Sequence, residues 1–288
     1  MFLDKKTHYF YFFDDHGERH RYVLIFGDEV EPLDGHAPSG ASFSPVRYRG
    51  RTGEWKPPSL CDDRSLELYF LDVGQGDAAF IVTPNGSKIL IDGGLRERAL
   101  GFLIWKYRLD LEASPAVVID HLVLSHADLD HVEGLIPVLE HPRIVIRNIH
   151  HNGIARFASG FNTRIGHRTA DDRLTTIHDT LDDLDGCDLA SGHRSRFGEW
   201  IDAVRASHAS YRRRDRSEDL LDVGDPDITV EIVGPVLEPD GSARWFGEPS
   251  ETINGHSLVL RLTYGAVRVL FAGDLNPHGS RHLLAQPN

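Results

Sequence analysis

Four side chains that could bind metal lie close together in the sequence. They are His126, Asp128, Asp130 and His131, and they follow the predicted buried strand 121–124 directly. Imidazole and carboxylate groups together suit zinc or manganese. If positions 126, 128 and 130 face one way and position 131 turns with the start of a helix, the group can serve two metal ions in one pocket. Two ions about 3.5–4 Å apart would activate a bridging water and stabilise a charged oxygen, which is hydrolase chemistry.

The alternative is a solvated polar loop in which Asp130 caps a helix. Two further acids weaken that alternative. Asp92 and Asp274 each follow an apolar run and stand beside glycine. Strand ends are where α/β folds place their sites, although either acid alone could be an ordinary turn residue. The three motifs together favour a functional site.

The elements that would position these acids alternate between strands and helices, which predicts a layered α/β fold. The apolar hairpin that ends at Asp274 is the clearest of them. Strands are predicted at 66–71, 78–82, 88–91, 121–124, 143–147, 228–233, 257–262 and 267–271, and helices at 96–108 and 132–140.

Residues 1–60 differ in composition and are predicted to be a β-rich N-terminal element and linker, with a hydrolase domain at 61–288. The aromatic runs 8–13 and 22–26 flank a turn, which indicates a β-hairpin. Prolines and glycines then predict a loop-rich connection over 31–60. With no ligand-like string, the segment is expected to be non-catalytic.

The middle of the chain is polar. An acidic stretch at 171–188 looks helical, and seven arginines are spread over 194–216. Those arginines could hold phosphates. Acidic residues interleave with them, so a solvated surface segment is the favoured interpretation.

The net charge, the cysteine content and the hydropathy of the chain limit its possible partners and location. The 288 residues carry a formal charge of −13 and two cysteines that lie far apart. The charge argues against coating nucleic acid by bulk electrostatics, but bound divalent metal can reverse the field at one site. No apolar stretch of about 18 residues occurs, and the N-terminus lacks a signal-peptide pattern, so a cytoplasmic protein without membrane contact is expected.

Five strings in order carry a family resemblance. They read Leu-Asp-Val-Gly-Gln-Gly-Asp-Ala, Ile-Leu-Ile-Asp-Gly-Gly, Leu-Ser-His-Ala-Asp-Leu-Asp-His-Val-Glu-Gly-Leu, Ser-Leu-Val-Leu and Leu-Phe-Ala-Gly-Asp-Leu. Over about 66–284 the chain resembles the metallo-β-lactamase superfamily, and it looks closest to the hydrolase domain of the DNA-uptake protein ComEC. The resemblance implies a metallo-β-lactamase αββα sandwich.

The resemblance also implies metal ligands. His126 and Asp128 would bind a first ion, with Asp128 standing where many members have histidine. Asp130 and His131 would bind a second ion, and Asp274 would bridge both.

Three further residues are given supporting roles. Asp92 would orient a ligand from behind. Gln75 and Asp77 lie on a predicted loop and would position substrate, although Asp77 could equally cap the turn.

The C-terminal part departs from the family pattern. The superfamily has a further metal-binding histidine well beyond the bridging acid, whereas only fourteen residues follow Asp274 here. His278 comes early for that role and is expected to lie at the start of a helix. The resemblance therefore predicts a sandwich incomplete at its C-terminus, as a truncated or cleaved product or one that a partner chain completes.

The predicted function is metal-dependent hydrolysis of phosphodiesters, as a nuclease on nucleic acid, by attack of a metal-bridging hydroxide on phosphorus. Asp128, Asp130 and His131 would be catalytic, with two divalent ions, zinc before manganese. One alternative is hydrolysis of a small ester, lactone or amide at the same centre, because the fold does not fix the substrate. Another is an inactive interaction module.

Overall fold

The structure is a computed structural model. It describes residues 1–3, 7–14, 16–33, 44–55, 60–112, 114–156, 165–184, 195–217 and 220–286. The chain forms two compact units. The first comprises Met1–Glu67, Val82–Gly86 and Leu103–Pro115, and the second comprises Leu68–Ile81, Ser87–Phe102 and Ala116–Asn288.

The first unit holds a five-stranded sheet in the order β3-β2-β6-β5-β4. Alternate residues of β2 point inward, where Phe10 and Phe12 join Leu24, Val46 and Tyr48 in a buried core. Its strands are β2 (Thr7–Phe13), β3 (Arg19–Ile25), β4 (Glu31–Pro32), β5 (Ser44–Tyr48) and β6 (Arg51–Trp55), while β1 (Phe2–Leu3) pairs with β7 (Leu60–Cys61).

The predicted N-terminal hairpin is therefore confirmed as β2 and β3, which pair antiparallel. The prediction of a loop-rich segment over 31–60 is wrong in its described part, because β4 to β7 lie there. Val46 and Tyr48 are buried on either side of the exposed Arg47, which is the period of a strand. The surrounding prolines and glycines hid this short alternation.

The second unit contains a six-stranded sheet in the order β14-β12-β11-β10-β9-β8. The neighbours β10, β11, β12 and β14 run parallel, so their carboxyl ends meet at one edge. The strands are β8 (Glu67–Phe70), β9 (Ala79–Val82), β10 (Lys88–Ile91), β11 (Val117–Leu124), β12 (Ile144–His151) and β14 (Ser210–Arg213).

A four-stranded antiparallel sheet adjoins it, in the order β15-β16-β18-β19. The Leu258 amide donates a hydrogen bond to the Ser125 carbonyl oxygen at 2.8 Å, which ties the start of β18 to the end of β11. The strands are β15 (Leu220–Leu221), β16 (Ile228–Gly234), β18 (Val259–Tyr264) and β19 (Val267–Phe271).

The helices are short. Those whose two ends both lie among the described residues are α1 (Arg98–Tyr107), α2 (Leu129–Val132), α3 (Leu135–Glu140), α4 (Arg196–Ser207), α5 (Pro249–Gly255) and α6 (Pro277–Leu284). The single helix predicted at 132–140 is thus a pair of helices with a break at Gly134. None of the described helices is long and apolar enough to cross a bilayer.

The acidic helix predicted at 171–188 is wrong over residues 173–174, which form β13 (Arg173–Leu174), whereas residues 181–184 are helical as predicted. This strand pairs with β17 (Ala243–Arg244), and Leu174 is fully buried beside Trp245. Tertiary packing overrides the local helical preference here. Residues 185–188 lie outside the described residues. The predicted mixed α/β class and the β-rich N-terminal sheet are confirmed.

Candidate metal centre

Three strand ends bring the predicted ligands together. Asp92 follows β10, His126 lies two residues after β11, and Asp274 lies three residues after β19. One ligand atom each from His126, His131 and Asp274 lies within 4.8 Å of the others. This group has the residue types of a divalent metal site.

Glycines allow the close backbone crossing behind this group. The Gly93 amide donates to the His131 carbonyl oxygen at 2.9 Å, and the Gly134 amide donates to the Gly94 carbonyl oxygen at 2.9 Å. A Cβ on Gly93 would lie 2.4 Å from the Leu135 nitrogen, and one on Gly134 would lie 2.0 Å from the Gly93 oxygen. The approach is therefore open only to glycine, and it brings Asp92 against His131.

Asp92 is the buried acceptor behind both histidines. Its Oδ1 accepts a hydrogen bond from the Ser125 amide at 2.7 Å. Its Oδ2 accepts from the Ser125 hydroxyl at 2.6 Å and lies 2.9 Å from His131 Nδ1. Because a carboxylate only accepts hydrogen bonds, His131 carries a proton on Nδ1 and turns Nε2 toward Asp274 Oδ1, 3.4 Å away.

Ser125 passes the same orientation to His126. Its hydroxyl proton is donated to Asp92, so its oxygen accepts from His126 Nδ1 at 2.9 Å. His126 Nε2 is then a lone-pair nitrogen. The Nε2 atoms of His126 and His131 are both buried and have no hydrogen-bond partner among the described residues. Two orphaned imidazole nitrogens beside a carboxylate fit a divalent cation.

The pKa shifts of the two histidines also favour a bound cation. Burial lowers the pKa of His131, but the hydrogen bond and charge of Asp92, with the charges of Asp274 and Asp130, outweigh it and raise the pKa to about 9. Burial holds the pKa of His126 well below its ordinary value. Of the two imidazoles, only His131 is therefore protonated near neutral pH, and a cation that binds here competes with that proton.

Carboxylates crowd the exposed side of the centre. Burial raises the pKa of Asp274, and the charges of Asp130, Asp77 and Asp128 raise it further against the opposing effect of His131. All three predicted acids thus lie near Asp274. Such crowding of like charges favours a bound cation.

Asp128 and Asp130 are engaged elsewhere and are not part of the three-residue group. The Asp128 carboxylate forms an ion pair with the Arg156 guanidinium, although the residue sits at the N-cap of α2. Asp130 Oδ2 accepts from the Gln75 amide at 3.1 Å. Gln75 therefore contacts a predicted ligand, and its substrate-positioning role stays a prediction. The ligand roles of both acids stay a prediction.

His278, which was considered from the sequence, and His256 both lie outside the three-residue group. His278 is exposed at the start of α6, where its ring stacks on Phe246 with centroids 6.2 Å apart. His256 is buried and donates from Nε2 to the Arg244 carbonyl oxygen at 2.8 Å. The geometry gives both of them structural contacts.

Sequence reasoning assigned no role to Ser125 and Arg156. Ser125 could have been found, because it directly precedes His126 in the motif and its hydroxyl can donate one hydrogen bond while accepting another. Arg156 carried no signal, since it lies 28 residues from Asp128. Only the fold brings that pair together.

Three of the described arginines of the 194–216 stretch form ion pairs, and one of them, Arg196, pairs with Glu199. Arg205 pairs with Asp182, and Arg213 pairs with Asp179 and Asp215. These contacts favour the surface-segment interpretation over phosphate binding.

Comparison with known families fits this centre. The family model for the metallo-beta-lactamase superfamily matches residues 71–286. The chain belongs to the metallo-β-lactamase superfamily. No curated protein matches it. The matched span contains the complete three-residue group and Asp92, and members of this superfamily are usually metal-dependent hydrolases.

Proposed function

We propose that this metallo-β-lactamase superfamily member hydrolyses phosphodiesters of nucleic acid with zinc or manganese, in the manner of a ComEC-type hydrolase domain. The observation that carries the proposal is the group of His126, His131 and Asp274, with two buried Nε2 atoms that have no hydrogen-bond partner among the described residues and a carboxylate oxygen, all within 4.8 Å.

When bound, a divalent cation supplies Lewis acidity toward a phosphoryl oxygen and lowers the pKa of water. His126, His131 and Asp274 would hold that ion. Asp92 keeps the His131 ring in place through the 2.9 Å contact with Nδ1, and Ser125 extends the same constraint to His126. A preorganised donor set of this kind keeps ligand geometry fixed as charge develops on the substrate.

A second ion would draw on Asp128 and Asp130, whose carboxylates lie near Asp274. Arg156 and Gln75 contact these two carboxylates in the structure. Arg156 supports an anionic substrate, because its partly exposed guanidinium is a positive group beside the acidic centre.

The test joins metal analysis with turnover. Protein purified without chelator and reconstituted with zinc or manganese should retain about one to two equivalents and cleave single-stranded DNA or RNA. His131→Ala and Asp130→Ala should each abolish cleavage with the fold intact. His167→Ala is the matched control, because His167 is exposed and belongs to neither candidate metal group among the described residues, and it should leave both metal content and cleavage unchanged.

Two outcomes would contradict the proposal. Metal content below about 0.2 equivalents after reconstitution would show that His126, His131 and Asp274 do not form a metal site. A metal-loaded protein that hydrolyses a panel of esters and lactones, but neither DNA nor RNA, would establish the small-molecule alternative instead.

A further inference from the structure

The β2–β3 hairpin has one face that the core does not use. Phe10, Phe12 and Leu24 point into the core of the first unit. The residues between them point outward, and several large side chains there are exposed: Tyr9 by 41%, Phe13 by 60%, Val23 by 54% and Ile25 by 59%. We call the outward residues of β2 and β3 the outer hairpin face; they are Tyr9, Tyr11, Phe13, Arg19, Arg21, Val23 and Ile25.

Aromatic rings follow one another along this face. Tyr9, Tyr11 and Phe13 occupy every second position of β2, so their side chains repeat at about 7 Å along the strand. The ring centroids of Tyr9 and Tyr11 are 6.3 Å apart. Three rings in a row on one face of a strand, two of them exposed and Tyr11 partly exposed, form a platform on which successive planar groups can stack.

Arginines accompany the rings. The Arg19 guanidinium carbon lies 4.1 Å from the centroid of the Tyr11 ring, and that of Arg21 lies 4.8 Å from the centroid of the Tyr9 ring. Stacking holds each guanidinium flat, while its N–H groups remain available at the edge. A planar donor group beside an aromatic ring suits a phosphate beside a base.

The charge of the outer hairpin face differs from that of the chain. The chain has a formal charge of −13, whereas this face carries two arginines and no carboxylate. The adjoining strand β6 contributes one acid, Glu54, opposite Tyr11. On β5, Arg47 is paired with Glu31. The nearest described acids on the hairpin, Asp14 and Glu18, lie in its turn, where Asp14 pairs with His20. Arg19 and Arg21, in contrast, lie among the rings.

We infer that the outer hairpin face binds single-stranded nucleic acid, with bases stacked along Tyr9, Tyr11 and Phe13 and phosphates held by Arg19 and Arg21. The recognition is independent of base sequence, because every base has a π-face and the arginines contact only the backbone. This site goes beyond the proposed hydrolytic function and does not depend on metal.

The experiment is fluorescence anisotropy of the whole chain with a labelled oligothymidine of about twenty nucleotides, in EDTA so that hydrolysis is silenced. We expect binding that weakens as salt rises, with a log–log slope of about −1 to −2 for the two arginines. Phe13→Ala and Arg21→Ala should each weaken binding about tenfold. Phe13→Leu should weaken it as Phe13→Ala does, while Phe13→Tyr should retain it, because only an aromatic ring stacks.

Two matched controls separate base stacking from general apolar contact and from general electrostatic attraction. Val23→Ala changes an exposed apolar residue of the same face and should leave the affinity within twofold. Arg268→Ala removes an exposed arginine from β19 in the other unit and should also leave it unchanged. Circular dichroism of each variant confirms that the fold is retained.

Any of four results would overturn the inference. The first two are no binding at low salt, and a loss of affinity in Arg268→Ala equal to that in Arg21→Ala. The third is an unchanged affinity in both Phe13→Leu and Phe13→Ala. The fourth is tighter binding of the same oligothymidine when it is paired with its complementary strand. Loss of binding in Val23→Ala alone would identify an apolar docking surface for a protein instead. Because the assay contains no metal, its result is separate from that of the hydrolysis test.

Discussion

Asp92 is the residue on which the geometry of the metal centre depends. It is 1% exposed and contacts Ser125 twice and His131 once, so its two oxygens fix both imidazole rings. Its backbone φ is +56°, a value that residues other than glycine rarely adopt. The hydrogen bonds of the carboxylate and its paired histidine stabilise this conformation.

Asp92→Asn should lower metal affinity by about 10- to 100-fold while the protein stays folded. An amide nitrogen in place of Oδ2 cannot accept the protons of the Ser125 hydroxyl and His131 Nδ1. Competition with a chromophoric chelator measures the affinity. Asp227→Asn, at an exposed aspartate of the same unit, is the control and should leave affinity unchanged. Equal affinities in both variants would show that Asp92 does not orient the ligands.

At the scale of elements, the loop after β10 and the α2–α3 junction meet backbone to backbone. Paired hydrogen bonds of 2.9 Å hold them together. The glycines on both sides are required by distance rather than by dihedral freedom, since neither Gly93 nor Gly134 has a positive φ. This contact transmits the position of the sheet edge to the helix that carries His131.

Gly93→Ala should therefore destabilise the protein by more than about 2 kcal/mol, because the new Cβ meets backbone that cannot move aside. Gly101→Ala is the matched control. Gly101 lies inside α1 with nothing within 4 Å of an added Cβ, so alanine should stabilise by up to about 1 kcal/mol. Urea denaturation measures both free energies of unfolding. A Gly93→Ala midpoint equal to that of the unmodified protein would exclude the close crossing.

At the scale of the whole molecule, buried histidines link stability to pH. Arg214 Nε donates to His150 Nδ1 at 3.2 Å, and His150 Nε2 then donates to His121 Nδ1 at 3.0 Å. Burial lowers the pKa of His150 to about 2 and that of His256 to about 4. Both side chains are neutral hydrogen-bonding groups within the folded second unit.

The unfolded chain protonates these histidines near pH 6.5, whereas the folded chain does not. Between pH 6.5 and the lowered values, the unfolded state binds more protons, so the free energy of unfolding falls as pH falls. For His256 the loss reaches about 3 kcal/mol by pH 4. Above pH 6.5 these groups contribute no slope.

His256→Gln should reduce that slope by up to about 1.4 kcal/mol per pH unit between pH 6 and 4.5. Glutamine keeps the donor that reaches the Arg244 carbonyl oxygen but does not titrate. Urea midpoints measured on metal-free protein at several pH values give the slope. A slope identical to that of the unmodified chain would show that His256 does not resist protonation.

The sequence by itself determined the local elements and the family. Short-range periodicity encodes strands, so β2, β10 and β19 were predicted to within one residue, and β3 and β18 to within three. The strings around Asp92, His126 and Asp274 identified the superfamily, and His126 and Asp274 lie together in the candidate metal group. Where prolines surrounded a short alternation, as at Val46 and Tyr48, the local signal failed.

Only the tertiary structure decided how the acids at the centre are divided. Four of them looked alike in the sequence, yet Asp92 is buried behind the histidines, Asp274 joins them, Asp128 meets Arg156 and Asp130 meets Gln75. Arg156 lies 28 residues from Asp128 along the chain, and Gln75 lies 55 residues from Asp130. The close approach of glycine backbones from distant elements sets such pairings, and no periodicity within a short window records that distance.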